Sequence, residues 1–190
     1  MGNKSEQTKA KILQEAWLLF AEKGFQAVTM SDICEKTGLS RGGLYRYYTG
    51  TGEIFSSILS QEYVVTDRIL EKERATDILN DMLEEIRCEI LEKEKSLSLA
   101  IYEYASLGNE ELFTRIHENA KKRWVSLIQY GMQTGEFKKT DAQQAADCIL
   151  YYYQGLKMWS RVIPFDAQTA ENYVKTIREM LLAHPNVYLY

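Results

Sequence analysis

The feature that most limits the fold of this chain is a proline-free run that covers residues 1 to 163 of its 190 residues. The sequence has two prolines, Pro164 and Pro185. Proline disrupts helix interiors but is common in the turns of β proteins, so its absence over such a length favours helix. The run therefore predicts an all-α chain and disfavours a β sandwich or barrel.

Apolar residues recur at helical spacing and predict about nine helices. The first stripe runs from Ile12 to Phe20 and ends at Lys23-Gly24. Six of the eleven glycines lie between residues 24 and 52, which predicts short helices with tight turns there and longer helices afterwards. The later stripes cover residues 53–72, 78–91, 97–107, 112–132, 142–159 and 173–181. Pro164 is expected to end the helix of residues 142–159.

Charge is divided unevenly along the chain, whose formal net charge is -4. Residues 1–50 hold seven Lys and Arg against five Asp and Glu, whereas the remainder holds 16 against 22. This asymmetry indicates two parts with different partners, of which the slightly basic one suits nucleic acid. We therefore predict a domain of residues 1–50 followed by a second domain of residues 51–190.

Several other protein classes are disfavoured by what the sequence lacks. Its three cysteines are far apart and form no C-x-x-C pair, so we expect reduced thiols, no disulfide framework and no metal site. No signal peptide and no apolar run of membrane-spanning length is present. The sequence predicts a cytoplasmic protein without a cofactor.

Residues 28–50 contain the signals of two short helices joined by a tight turn. Thr29 or Ser31 can cap the first helix, and Asp32 completes a possible capping box with Thr29. Gly38 suits the end of that helix, and Ser40 can cap the second one. Two short helices joined by a turn that contains glycine form a helix-turn-helix, although a plain helical corner has the same spacing.

The second of these helices would present a face suited to DNA. Arginine can contact guanine edges or phosphates, tyrosine hydroxyls can contact phosphates, and glycine allows close backbone approach. The residues expected to point outward are Arg41, Gly42, Gly43, Tyr45, Arg46 and Tyr47.

Residues 8–59 resemble the N-terminal domain of the TetR family of transcriptional regulators. The matching positions are Lys11-Ile12-Leu13, Ala16, Leu19-Phe20, Lys23-Gly24-Phe25, Val28-Thr29, Ile33, Thr37-Gly38-Leu39-Ser40, Gly43-Leu44-Tyr45 and Tyr47-Tyr48. Gly135-Glu136-Phe137 and the helix around Gly155 resemble, more loosely, the family's late turn and dimerisation helix. The resemblance implies a three-helix DNA-binding domain followed by a helical domain for ligand binding and dimerisation.

The resemblance also implies a function and a set of DNA contacts. It implies a homodimeric repressor that binds a palindromic operator and is released by a small-molecule inducer, which we expect to be apolar or aromatic. The DNA-binding residues would be Thr29, Ser31, Ser40, Arg41, Gly42, Gly43, Tyr45, Arg46, Tyr47 and Thr51. Thr51 stands where the family commonly has a phosphate-binding Lys, so Lys4 and Lys9 are further candidates for phosphate contacts.

Two further sets of residues follow from the resemblance. Small residues that allow close helix approach predict a dimer interface of Ala142, Ala145, Ala146, Ile149, Tyr153, Leu156, Tyr173 and Ile177. Positions where family pockets form predict a ligand pocket of Met82, Ile86, Tyr102, Tyr104, Phe113, His117, Trp124 and Tyr151. Glu103, between two tyrosines, either favours a cationic aromatic ligand or lies on a solvated helix face.

Two other classes of function are the alternatives. An enzyme is disfavoured because His117-Glu118 is not followed by the second His of a zinc protease. The sequence also has no Walker, Rossmann or Gly-x-Ser-x-Gly motif. A helical interaction protein whose helix-turn-helix no longer binds DNA is the other alternative, because of Thr51 and the modest positive charge.

Overall fold

The computed structural model describes residues 2–60, 65–91, 96–160, 162, 163 and 165–183. These ranges contain an isolated antiparallel bridge, Phe137 to Leu182, and ten α-helices. The helices are α1 (Gly2–Lys23), α2 (Met30–Thr37), α3 (Arg41–Tyr45), α4 (Thr51–Leu59), α5 (Val65–Leu70), α6 (Ala75–Leu91), α7 (Ser98–Ala105), α8 (Glu110–Thr134), α9 (Ala142–Trp159) and α10 (Ala167–Leu181). The predicted all-α fold is confirmed. The stripe at residues 53–72, predicted as one helix, contains α4 and α5, and Pro164 lies outside the described residues.

The described residues form two compact units. The first unit contains residues 2–60 and 96–116, and the second contains residues 65–91 together with the described part of 117–183. By packing, the first unit therefore extends beyond residue 50 and includes α4, α7 and the start of α8. A functional boundary at residues 50 and 51 stays a prediction. In the described part of the chain, no helix is both long enough and apolar enough to cross a lipid bilayer.

The core of the first unit is built on the apolar face of α1, which packs against α2, α4 and α7. Ile12, Ala16 and Phe20 are fully buried on this face because they recur at helical spacing. The Phe20 ring lies 4.8 Å from the ring of Phe55 on α4, measured between centroids. Such aromatic pairs add packing specificity to the apolar area that they bury, so α4 is fixed against α1.

Helix α7 forms hydrogen bonds with two other parts of the first unit, the turn between α1 and α2 and the first turn of α4. The Glu103 carboxylate accepts a hydrogen bond from the backbone N–H of Gln26 at 2.9 Å, in the turn between α1 and α2. The same turn contains Gly24, whose φ is +81°, and a Cβ there would lie 2.7 Å from Glu103 Oε2. The Tyr104 hydroxyl donates to the Gly52 carbonyl oxygen at 3.2 Å, in the first turn of α4. Glu103 is partly exposed and binds a backbone turn, and the two roles considered for it in the sequence analysis stay predictions.

The core of the second unit is formed by the long helices α6, α8, α9 and α10. Leu83 on α6, Leu127 on α8, Ala146 on α9 and Tyr173 on α10 are each fully buried in one apolar cluster. The Tyr173 hydroxyl donates to the Ile149 carbonyl oxygen at 3.3 Å, so its polar atom is satisfied within the core. Burial raises the pKa of this phenol well above its usual value.

The segment that follows α8 forms a tight turn in the second unit, and its residues contact α8 and α6. Gly135 has a φ of +79°, a left-handed conformation that favours glycine. Phe137 packs directly on Gly131, where a Cβ would lie 2.4 Å from the ring. Glu136 accepts hydrogen bonds at 3.1 Å from the backbone N–H groups of Ala75 and Thr76, so it caps the first turn of α6 from a distant part of the chain.

Candidate nucleic-acid interface

Helix α2 begins at a capping box that fixes its first turn. Thr29 is the N-cap residue, and its hydroxyl accepts a hydrogen bond from the Asp32 backbone N–H at 3.2 Å. The Asp32 carboxylate accepts in return from the Thr29 backbone N–H at 2.8 Å and from the Thr29 hydroxyl. These hydrogen bonds lower the pKa of Asp32. Of the two predicted caps, Thr29 is therefore the one used.

The turn between α2 and α3 has the geometry expected of a helix-turn-helix. Gly38 ends α2 in the left-handed conformation, with a φ of +72°, and its N–H donates to the Cys34 carbonyl oxygen at 2.9 Å. Ser40 then caps α3 by accepting from the Gly43 N–H at 3.1 Å. Leu44 is fully buried and anchors α3 in the core of the first unit. Helix α3 is thus fixed at its N-terminus by Ser40 and at its buried face by Leu44.

Helix α3 and its C-cap residue present three exposed side chains with groups that suit DNA. Tyr45 is 51% exposed, and Arg46, the C-cap residue, is exposed as well. Arg41 is also exposed, and its Nη2 donates to the Ser31 hydroxyl at 2.9 Å, which ties the start of α3 to α2. A phenol and guanidinium groups on a helix without carboxylates can contact phosphates and guanine edges.

Two residues predicted to point outward are instead partly buried. The Tyr47 side chain packs against the core of the first unit, because α3 ends at Tyr45 and the Tyr47 N–H donates to the Leu44 carbonyl oxygen at 2.9 Å in the following turn. Gly43 faces the Ser40 hydroxyl that caps the helix. Gly42 remains exposed, and a Cβ there would meet no atom of the chain within 4 Å. Fewer residues in and around α3 are therefore exposed for DNA contact than the sequence predicts.

Thr51 is the first residue of α4, and Gly50 is its N-cap without a side-chain hydrogen bond. The Glu53 carboxylate accepts from the Thr49 backbone N–H at 2.6 Å and holds the preceding turn. The Thr49 hydrogen bonds lower the pKa of Glu53, and the positive charge of Lys9 on α1 contributes to this shift. A phosphate contact by Thr51 or Lys9 stays a prediction.

Two contacts that position the helix-turn-helix were missed by the sequence analysis. The Lys11 ammonium donates to the Thr37 carbonyl oxygen at 2.9 Å and caps the end of α2. Glu103 fixes the turn before α2 from α7. A basic residue on α1 and an acidic residue on α7 are ordinary on helix surfaces, so spacing gives no signal for either partner.

The eight residues predicted to form a ligand pocket are divided between the two units. The first unit contains Tyr102, Tyr104 and Phe113, and the second contains Met82, Ile86, His117, Trp124 and Tyr151. Tyr104 is buried and its hydroxyl binds α4, whereas Tyr102 is exposed. Trp124 is buried in the core, and the His117 ring stacks on the exposed Tyr151 at a centroid distance of 5.5 Å. Their assignment to a ligand pocket stays a prediction.

Most residues predicted to form a dimer interface are buried inside the second unit. Six are at most 7% exposed in the single chain: Ala142, Ala145, Ala146, Ile149, Tyr173 and Ile177. Tyr153 and Leu156 are partly buried against the same core, and the Tyr153 hydroxyl donates to the Glu89 carboxylate. The small residues of α9 pack on the chain's own helices, so the six have almost no surface left for a second chain. Their assignment to a dimer interface stays a prediction, and Leu156 is the member that also lines the exposed groove of α9.

The opposite side of α9 is the exposed apolar one. We call it the α9 outer face, and it consists of the residues that line an open groove of about 390 Å³: Tyr151, Tyr152, Gly155, Leu156, Trp159, Ile163 and Phe165. Tyr151 is 64% exposed and Trp159 is 48% exposed. Large exposed apolar patches on a protein surface are typical of interaction sites.

A comparison with family models places the helix-turn-helix in a known group. The model described as "Bacterial regulatory proteins, tetR family" matches residues 12–58. The uncharacterized HTH-type transcriptional regulator YfiR of Bacillus subtilis (strain 168) is 29% identical over 142 residues, which are 70% of this chain and 69% of that protein. The HTH-type transcriptional regulator TtgR of Pseudomonas putida is 21% identical and covers 95% of this chain and 94% of its own length.

Solved structures share the fold over nearly the whole chain. A TetR transcription regulator from Haloarcula marismortui aligns with a TM-score of 0.71 at 22% identity and covers 93% of this chain and 99% of its own. A transcriptional regulator from Saccharomonospora viridis, solved in complex with choline, aligns with a TM-score of 0.70 at 18% identity and covers 94% and 99%. These likenesses show that the second unit, like the first, has the fold of these regulators.

Proposed function

Because the chain belongs to the TetR family of transcriptional regulators, we propose that it is a cytoplasmic, ligand-responsive repressor. In this proposal it binds a palindromic operator as a homodimer, and a small-molecule inducer releases it. The observation that carries the proposal is α3, a short helix fixed by Ser40 and Leu44 that presents Tyr45 and Arg46 to solvent. Relatives named as repressors support the direction of regulation, among them the transcriptional repressor AcnR of Corynebacterium glutamicum.

DNA contact is proposed for α3 and the residues around it. Arg46 and Tyr45 would enter the major groove, while Arg41 and Ser31, which are hydrogen-bonded to each other, would lie against the sugar-phosphate backbone. Ser40 and Thr29 use their hydroxyls as helix caps, so their part would be to hold the motif in shape. Thr51 and Lys9 would contact phosphate at the start of α4.

Dimerisation is proposed for the α9 outer face, which includes Leu156 of the predicted interface. A two-fold dimer presents two α3 helices, and half-sites about 34–36 Å apart suit successive major grooves. The exposed aromatic groups of this face would be removed from water in the dimer, which is the dominant favourable contribution in most associations.

Inducer release would work by population shift. The inducer would bind a dimer conformation in which the two α3 helices no longer match the operator spacing. The choline bound to the Saccharomonospora viridis regulator is an instance of a small molecule held by this fold. For this chain we propose an apolar or aromatic inducer, with Trp124, Met82 and Ile86 as candidate contacts in the second unit.

The test is selection of DNA from a random-sequence duplex pool by the full-length protein at low salt. The expected product is a palindrome that binds the dimer, with affinity that falls steeply as salt rises, since phosphate contacts release counterions. Small molecules are then screened for release of this DNA. Failure to select any sequence while the protein is folded would favour the interaction-protein alternative, and turnover of a released molecule would favour an enzyme.

A further inference from the structure

Two neighbouring residues of α7 bind the two segments that border the helix-turn-helix. The Glu103 carboxylate accepts a hydrogen bond from the Gln26 backbone N–H at 2.9 Å, in the turn that leads into α2. The Tyr104 hydroxyl donates to the Gly52 carbonyl oxygen at 3.2 Å, in the first turn of α4, which follows α3. Helix α7 therefore contacts the chain both where it enters the helix-turn-helix and where it leaves it.

The contact of Glu103 with the entry turn is closely fitted. Gly24, in the same turn, has a φ of +81°, and a Cβ there would lie 2.7 Å from Glu103 Oε2 and 3.0 Å from Oε1. This glycine is thus favoured both by its left-handed backbone and by the closeness of the carboxylate. Thr29, the N-cap residue of α2, follows Gln26 by three residues, so a displacement of the turn would act on the start of α2.

The contact of Tyr104 fixes α7 in the core of the first unit. Tyr104 is 8% exposed, and its ring centroid lies 4.6 Å from that of Phe25 in the entry turn and 5.1 Å from that of Phe55 on α4. Its hydroxyl also lies 2.9 Å from the Ser56 hydroxyl. Because these contacts hold α7 in place, the neighbouring Glu103 carboxylate has a fixed position from which to bind the entry turn.

We propose that Glu103 is a positioning residue for DNA recognition, which sets the orientation of α2 and α3 from outside the helix-turn-helix. This role rests on the proposed DNA binding. Electrostatics alone predicts that removal of a carboxylate from the DNA-binding unit strengthens binding to any duplex, because the carboxylate repels phosphates. Positioning predicts the opposite for the operator, since base contacts depend on the placement of α3 in the groove.

The test compares Glu103→Ala and Glu103→Gln with Glu111→Ala in the full-length protein. Glu111 is an exposed glutamate at the start of α8 in the same unit, so Glu111→Ala removes the same charge and serves as the matched control. Glu103→Gln also removes the charge but keeps one acceptor oxygen for the Gln26 N–H. Affinity is measured for the selected operator and for a scrambled duplex of the same composition, at a temperature where circular dichroism shows each variant folded.

The expected result is that Glu103→Ala weakens operator binding on the order of ten-fold, because a displaced α3 loses base contacts. Its affinity for the scrambled duplex should be unchanged or slightly higher. Glu103→Gln and Glu111→Ala should both bind the operator within about three-fold of wild type, as expected where no positioning contact is lost.

Three results would overturn the positioning role of Glu103. They are wild-type operator affinity in Glu103→Ala, an equal loss for the operator and the scrambled duplex in that variant, and a loss in Glu103→Gln as large as that in Glu103→Ala. A wild-type protein that binds the operator and the scrambled duplex alike would instead overturn the proposed DNA recognition itself.

Discussion

Helices α2 and α6 begin in similar ways but take their caps from different parts of the chain. At α2, Thr29 and Asp32 satisfy each other's backbone N–H groups across three residues. At α6, the N–H groups of Ala75 and Thr76 donate to Glu136, which lies about sixty residues further along the chain. The first cap is complete within its own helix, whereas the second requires that the turn after α8 has already reached α6.

The local cap of α2 and the long-range cap of α6 serve different purposes. A local cap fixes the turn geometry of a short helix, and α2 and α3 need such geometry because α3 presents the side chains that we propose to contact DNA. A long-range cap joins two distant segments, and in the second unit it links the start of α6 to the segment between α8 and α9. Loss of the distant cap should therefore cost more stability, and loss of the local cap should mainly affect DNA binding.

The largest stability effect is expected for Glu136→Ala. The substitution removes an acceptor shared by Ala75, Thr76 and Thr134, and loss of hydrogen bonds to a charged group costs about 1.5–3 kcal/mol. Chemical denaturation at pH 7 measures this change in the free energy of unfolding. The Glu136→Gln variant keeps the size of the side chain and one acceptor oxygen, although it replaces the other acceptor oxygen by an NH2 donor, so it should lose less than Glu136→Ala.

The contribution of Glu136 should also depend on pH. Burial raises the pKa of Glu136, but the hydrogen bonds from Thr76, Thr134 and Ala75 outweigh burial and lower it below the ordinary value. A carboxylate with a lowered folded pKa stabilises fully above its unfolded pKa of about 4.3 and loses that effect as the pH falls through the folded value. The difference between wild type and Glu136→Gln should therefore shrink in acid, and a constant difference would contradict this cap.

A smaller effect is expected for Thr29→Ala, since a single N-cap contributes about 1 kcal/mol. Thr29→Ser keeps the hydroxyl and serves as the matched control. Operator affinity is measured for both variants at a temperature where both are folded. Thr29→Ala should weaken DNA binding while Thr29→Ser retains it, because the capping hydroxyl holds α2 beside α3. Equal loss in both variants would show that the methyl group, and not the cap, is what matters.

The same comparison explains how much can be read from the sequence. The capping box, Gly38 and Ser40 are local signals, so the sequence predicts the helix-turn-helix with its turn in the right place. The cap by Glu136 and the contact of Glu103 with Gln26 join segments about sixty and seventy-seven residues apart. No local spacing encodes such partners, because the fold alone brings them together.

The exposed side of α9 was missed by the sequence analysis for a related reason. The small residues Ala142, Ala145 and Ala146 allow close helix packing, but periodicity does not say whether the neighbouring helix belongs to the same chain. The structure places these residues in the core and leaves Tyr151 and Trp159 outside. Which side of α9 is exposed could therefore be stated only after the burial of each residue was known.

The central claim, that α3 reads DNA, is tested most directly by the operator affinity of Arg46→Ala, with Arg115→Ala as the matched control. Arg115 is an exposed arginine on α8 in the same unit and lies outside the helix-turn-helix. The account predicts that Arg46→Ala weakens binding on the order of ten-fold or more, as expected for a lost base contact, while Arg115→Ala binds like wild type. Wild-type affinity in Arg46→Ala together with a loss in Arg115→Ala would contradict the account.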